Sequence, residues 1–149
     1  MAISPASCYI NRLNLAPFSF VDTVSELKRN ESLTAFFKLK GSEEFLKDHF
    51  AGFPVMPGVL LLEALRQAAA VLWTDSFEAK PGSFFRLAEV EEAKFGKFVR
   101  PGDQLKLFVR VLPAKKEKNA VFEGRIDLVH DQAPVGKAFS AKFSLEQVH

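Results

Sequence analysis

The stretch from Val59 to Trp73, VLLLEALRQAAAVLW, is the only long apolar run in the chain, and it constrains the fold more than any other segment. Wound as a helix it is apolar around most of its circumference, so it belongs inside a molecule rather than on its surface. It is shorter than the roughly 18 residues of a membrane span and is interrupted by Glu63, Arg66 and Gln67. Its neighbours in sequence have a different period. Leu33, Ala35, Phe37 and Leu39 alternate with more polar residues, as do Leu105, Leu107, Val109 and Val111, and Phe139, Ala141, Phe143 and Leu145. These patterns predict strands at 17–26 and 32–40, the helix at about 58–73, and further strands at 84–97, 104–112, 119–129 and 135–145. A short helical turn capped by Ser42 is expected over 42–46, and Gly52, Pro54, Pro57 and Gly58 mark a loop before the helix. Pro101-Gly102 suits a tight turn and 113–119 a charged hairpin loop. The fold class is therefore α+β: one curved, mainly antiparallel sheet wrapped around a central hydrophobic helix.

At 149 residues, 48% of them hydrophobic and 26% charged, the chain has material for one core, and residues 1–149 are expected to form a single domain. Sixteen Phe against one Trp and one Tyr point to a greasy interior, an apolar ligand tunnel, or both. A formal net charge of +2 carries no basic stripe of the kind nucleic acid requires, whereas an acidic protein partner fits it. Cys8 is the only cysteine, which excludes an internal disulfide and a cysteine zinc cluster and suits a reducing compartment. Residues 1–10 lack a basic segment followed by an apolar run, so no signal peptide is read there. A cytoplasmic protein that binds neither membrane nor nucleic acid is expected.

Chemistry concentrates in His49-Phe50-Ala51-Gly52-Phe53-Pro54-Val55-Met56-Pro57-Gly58-Val59-Leu60-Leu61-Leu62-Glu63. An imidazole such as His49 can take a proton near neutral pH. Gly58 stands where the helix begins, and unpaired N–H groups at a helix start favour a developing anion. Glu63 lies within the apolar helix, where desolvation is expected to favour its protonated form and so a general acid. Base, anion hole and acid together suit removal of water from a 3-hydroxyacyl thioester, with no metal or other cofactor needed. Each residue also has a plainer reading. His49 beside Phe50 could be structural, Pro57-Gly58 could be an ordinary helix entry, and Glu63, Arg66 and Gln67, at i, i+3 and i+4, could form a solvated stripe with a local ion pair.

The segment His49 to Gln67, HFAGFPVMPGVLLLEALRQ, resembles the active-site signature of the 3-hydroxyacyl-acyl-carrier-protein dehydratases of the hotdog superfamily. That signature reads His-Phe-Pro-Gly-x-Pro, Met-Pro-Gly-Val-Leu and, two residues on, Glu-Ala-x-x-Gln. Pro17-Phe18-Ser19-Phe20-Val21-Asp22, Lys94-Phe95 and Arg100-Pro101-Gly102-Asp103 resemble other parts of the family pattern. Asp48 and Ala51 depart from it, standing where the family has Gly and Pro.

The resemblance implies reversible dehydration of a 3-hydroxyacyl chain on acyl carrier protein to the trans-2-enoyl form, in fatty acid or related acyl-chain synthesis. Glu63, rather than Asp, is similar to the dehydratase-only branch. It implies a homodimer joined edge to edge, in some members a trimer of dimers, with His49 as base at C2 meeting Glu63 of the partner subunit as acid at the C3 hydroxyl. The stabilising amide carries over to Gly58, and Gln67 is the residue to position the carboxylate. Phe53, Phe85, Leu87 and Phe95 are candidates for the acyl tunnel or, equally, ordinary core. Lys94, Lys97 and Arg100 are candidates for meeting the carrier protein, with solvated strand ends as the alternative. A non-catalytic acyl-binding or heteromeric subunit is the alternative function, and thioester hydrolysis a more distant one.

Overall fold

The computed structural model describes residues 19–40, 55–77, 84–113, 119–131 and 133–148. Its elements are β1 (Thr23–Lys28), β2 (Ser32–Lys38), α1 (Gly58–Phe77), β3 (Phe84–Phe95), β4 (Gln104–Leu112), β5 (Asn119–His130) and β6 (Ala133–Val148). The strands form one sheet in the order β1-β2-β4-β5-β6-β3, and every neighbouring pair is antiparallel. β1 and β3 are its two edges.

The alternation in the sequence becomes rows across the sheet. Leu33 pairs with Val109, Val109 with Gly124 and Gly124 with Ala141, while Ala35, Leu107, Ile126 and Phe139 form the next row on the same face. Both rows are buried, because α1 lies against this face and packs on β2, β3, β4, β5 and β6. The helix packs directly on the glycine of one of these rows. A Cβ added to Gly124 would stand 2.9 Å from Leu65 Cδ1, so a larger residue there would push the helix away.

Leu, Ala and other good helix formers fill α1, and its middle, Ala64 to Trp73, is almost wholly buried. Phe20, Phe122, Phe139 and Phe143 are fully buried around it. Trp73 joins this group, with its ring centroid 4.9 Å from that of Phe85 and 6.3 Å from that of Phe122. Much of the Phe-rich composition thus goes into the interior.

The expected elements are present, with shifted ends. The first strand is Thr23–Lys28 rather than 17–26: the Phe20 N–H donates to a helix side chain, and Asp22, whose N–H still donates to the Phe36 carbonyl of β2, accepts the Lys38 N–H with its carboxylate. β2 stops at Lys38, beyond which the Leu39 N–H donates to the Asp103 carbonyl instead of a strand partner. The helix runs past Trp73 to Phe77, and the Thr74 hydroxyl donates back to the Ala70 carbonyl at 2.8 Å. β3 ends at Phe95 rather than 97, since Gly96 and Lys97 bond to Ala138 and Lys137 past two register shifts. β5 runs one residue further, to His130, and β6 runs from Ala133 to Val148, longer at both ends than 135–145 because its outer residues pair with β5 and β3. The turn at 101–102 forms as expected: Gly102 has φ +94°, and the Asp103 N–H donates to the Arg100 carbonyl. The expected turn at 42–46 and the loop at 48–54 lie outside the described residues.

Candidate active site

α1 begins at Gly58, and among the described residues no side chain caps its first amides. The Pro57 carbonyl accepts the N–H groups of Leu60 and Leu61, at 3.0 and 3.3 Å, but proline has no side-chain oxygen to bond the first amides. No acidic residue stands in the first turn. A helix start carries backbone N–H groups and their partial positive charge, and the described neighbour at this one is the apolar ring of Phe95. The Phe95 ring lies over Gly58, where an added Cβ would collide with it, and packs on Phe139 with centroids 4.8 Å apart.

Glu63 stands further along the same helix and is half-buried. Arg66 approaches it as a fork: Nε donates to Oε1 and Nη2 to Oε2, both at 2.6 Å. Gln67 Nε2 donates to Oε2 at 2.9 Å. The i, i+3 and i+4 spacing places all three side chains on one face of the helix. It is not a solvated stripe. Gln67 is 1% exposed and the Arg66 side chain 16%.

Both supporting residues are themselves anchored to opposite edges of the sheet. The Phe20 N–H, just ahead of β1, donates to Gln67 Oε1 at 2.7 Å. A backbone N–H can only donate, so this bond sets the amide orientation and directs Nε2 toward Glu63. Arg66 Nη1 donates to the Phe85 carbonyl of β3 at 2.7 Å. Because the sheet curves around α1, its two edges reach the same carboxylate through two side chains. No buried side-chain nitrogen or oxygen among the described residues lacks a partner.

The other sequence candidates fall into three groups. His49 and Phe53 lie outside the described residues. Phe85 is 2% exposed, Leu87 is partly buried against the core, and Phe95 is 66% exposed beside Gly58. Lys94, Lys97 and Arg100 are exposed at the end of β3 and beyond it. The structure thus brings together Glu63 and Gln67, and places Gly58 beside Phe95. Arg66, with two bonds to the carboxylate and a third to β3, was visible in sequence only as a possible ion-pair partner.

A recess of about 560 Å³ lies elsewhere, bordered by Glu89, Glu91, Leu112, Pro113, Val121 and Lys142. Glu63 does not line it. Among the described residues, no three His, Cys, Asp or Glu side chains are grouped to hold a metal, and no helix is long and apolar enough to cross a membrane.

A six-stranded sheet curved around one helix, with a fixed carboxylate on that helix, agrees with the comparisons to known proteins. The model of the FabA-like domain matches residues 13–138, and the chain belongs to that family, whose fold is the hotdog. It is 43% identical over 108 residues to the 3-hydroxyacyl-[acyl-carrier-protein] dehydratase FabZ of Levilactobacillus brevis, covering 72% of each chain. It is 41% identical over 100 residues to the FabZ of Haemophilus influenzae strain PittEE, covering 67% of this chain and 68% of the relative. Among solved structures, the dehydratase heterocomplex ApeI:P of Xenorhabdus doucetiae superposes with a TM-score of 0.77 at 16% identity, over 99% of this chain and 93% of that one. The F36A mutant of the fluoroacetyl-CoA-specific thioesterase FlK superposes with a TM-score of 0.64 at 13% identity, over 84% of this chain and 90% of that one. Dehydratases and a thioesterase share this fold, so the structural matches speak for the architecture alone.

Proposed function

We propose that this chain catalyses reversible dehydration of 3-hydroxyacyl-acyl carrier protein to the trans-2-enoyl form in fatty acid biosynthesis, as a single-domain cytoplasmic enzyme. The observation that carries the reading is the seating of Glu63, which stands at its motif position on the buried helix with three N–H donors on its carboxylate. The identity with FabZ proteins supports the substrate class.

In the proposed reaction the His49 imidazole takes the proton from C2, and the Gly58 N–H stabilises the negative charge that builds on the thioester oxygen. Glu63 of the partner subunit protonates the C3 hydroxyl, which leaves as water while the C2–C3 double bond forms. No metal or cofactor takes part. Gln67 holds the carboxylate. Leu87, Phe95 and Phe53 border the acyl chain, with Phe85 backing them from the core, and Lys94, Lys97 and Arg100 meet the acidic carrier.

A homodimer joined through β3 is supported by the character of that edge: Phe84, Val90 and Phe95 are all exposed there, and an unpaired edge strand is a template for another strand. A trimer of dimers is a further assembly of the same unit.

The test is interconversion of a short 3-hydroxyacyl and 2-enoyl chain on carrier protein by the wild type, His49→Ala and Glu63→Gln. Activity in the wild type and its loss in both folded, oligomeric variants upholds the reading. An inactive wild type across chain lengths, retaining acyl thioester unchanged, transfers it to the acyl-binding or heteromeric subunit, the reading that Asp48 and Ala51 favour.

A further inference from the structure

The geometry points to Arg66 as a positioning residue that selects Glu63 Oε1 as the reacting oxygen and takes up the charge left on the carboxylate; this rests on the dehydratase reading above. A carboxylate offers about four lone-pair positions, two on each oxygen. On Glu63, Oε2 accepts from both Arg66 Nη2 and Gln67 Nε2, while Oε1 accepts from Arg66 Nε alone. Among the described residues one position remains without a donor, on Oε1. A proton carried by Glu63 has its place there, and so does a substrate hydroxyl bonded to it.

The elimination then balances atom by atom. The Oε1–H bond breaks as that proton passes to the C3 hydroxyl, and the C3–O bond breaks with its electron pair leaving in water. The C2–H pair becomes the double bond, and the C2 proton ends on His49. Glu63 is left as a carboxylate at the moment when Arg66, already forked across both oxygens, is positioned to receive its charge. Arg is suited to this because its planar fork matches a carboxylate, which the point charge of Lys does not. The fork cannot easily drift, since its third donor is tied to the Phe85 carbonyl of β3 and its side chain is largely covered.

The experiment is steady-state dehydration by the wild type, Arg66→Met and Arg66→Lys on an acyl-carrier-protein substrate. The Met variant is also assayed with added guanidinium ion below denaturing concentration, against a wild-type control. The expected result for Arg66→Met is a fall in kcat on the order of 10²-fold with KM little changed. Lys is expected to restore part of that loss, and free guanidinium part of it again. A kcat equal to that of the wild type in folded Arg66→Met overturns the inference, as does a loss that follows only the folded fraction and responds to neither Lys nor guanidinium. Should Arg66→Met not fold, folded Arg66→Lys decides: a lowered kcat at unchanged KM upholds the assignment and wild-type kinetics overturn it. An inactive wild type removes the dehydratase reading and this inference together, whereas an active wild type with an indifferent Arg66 removes the inference alone.

Discussion

The two halves of α1 are built from similar residues, but they make different contacts. From Ala68 to Trp73 each side chain is buried, and its contacts are with the apolar face of the sheet and the Phe cluster. From Gly58 to Gln67 the helix is interrupted by Glu63, Arg66 and Gln67, whose polar atoms bond to one another and to Phe20 and Phe85. In the second half a side chain matters through the volume it fills. In the first half it also matters through the donor or acceptor it supplies, so stability and activity should come apart along a single helix.

Substituting Glu63 by Gln tests the chemical half. It keeps shape and volume but turns an amide NH2 toward a donor of Arg66 or Gln67, so a stability cost of about 1–3 kcal/mol is expected beside a fall in dehydration of about 10²- to 10⁴-fold, the usual weight of a general acid. Comparison of rate with circular dichroism separates the two; a rate near that of the wild type would erase the distinction between the halves. Truncating Leu72 to Ala probes the packing half, because Leu72 is fully buried and the change leaves a cavity. Urea unfolding should report a loss of about 2–5 kcal/mol, with turnover per folded molecule retained.

Gln67→Leu lies at the boundary and sharpens it. The Phe20 N–H loses its acceptor and Glu63 one of its donors, so unfolding should show a cost of about 1–3 kcal/mol together with a reduced rate. A pure stability loss would move Gln67 into the packing half. Arg86→Ala sets the lower bound. Its pair with Glu146, on the adjoining β6, is 63% exposed on the Arg side, and thermal unfolding should detect a change of no more than about 1 kcal/mol.

The packing half was the more legible in sequence. The alternation in β4 predicted its bounds, and the apolar run placed the helix, because burial leaves a periodic trace in the order of residues. The helix end was missed because Thr74, Asp75 and Ser76 are residue types that compete for backbone groups and read as a boundary, yet Thr74 bonds back into the helix. The start of β1 was missed because Phe20 and Val21 look like strand residues, while the Phe20 N–H is drawn to Gln67. In the candidate site, motif spacing picked out Glu63 and Gln67. The role of Arg66 was hidden because its third bond reaches a carbonyl on β3, a meeting that depends on how the sheet curves rather than on local spacing.

The anchoring of one carboxylate to both sheet edges also bears on when the site comes into being. The link from Phe20 to Gln67 spans 47 residues and that from Arg66 to Phe85 spans 19, on opposite sides of the helix in sequence. Contacts between distant residues must first overcome the entropy of closing the intervening chain. A chain that has formed its helix but secured only one edge of its sheet has no fully braced Glu63. Competence at this carboxylate therefore requires both sheet edges to be in place, and its appearance during refolding would report when the second edge docks.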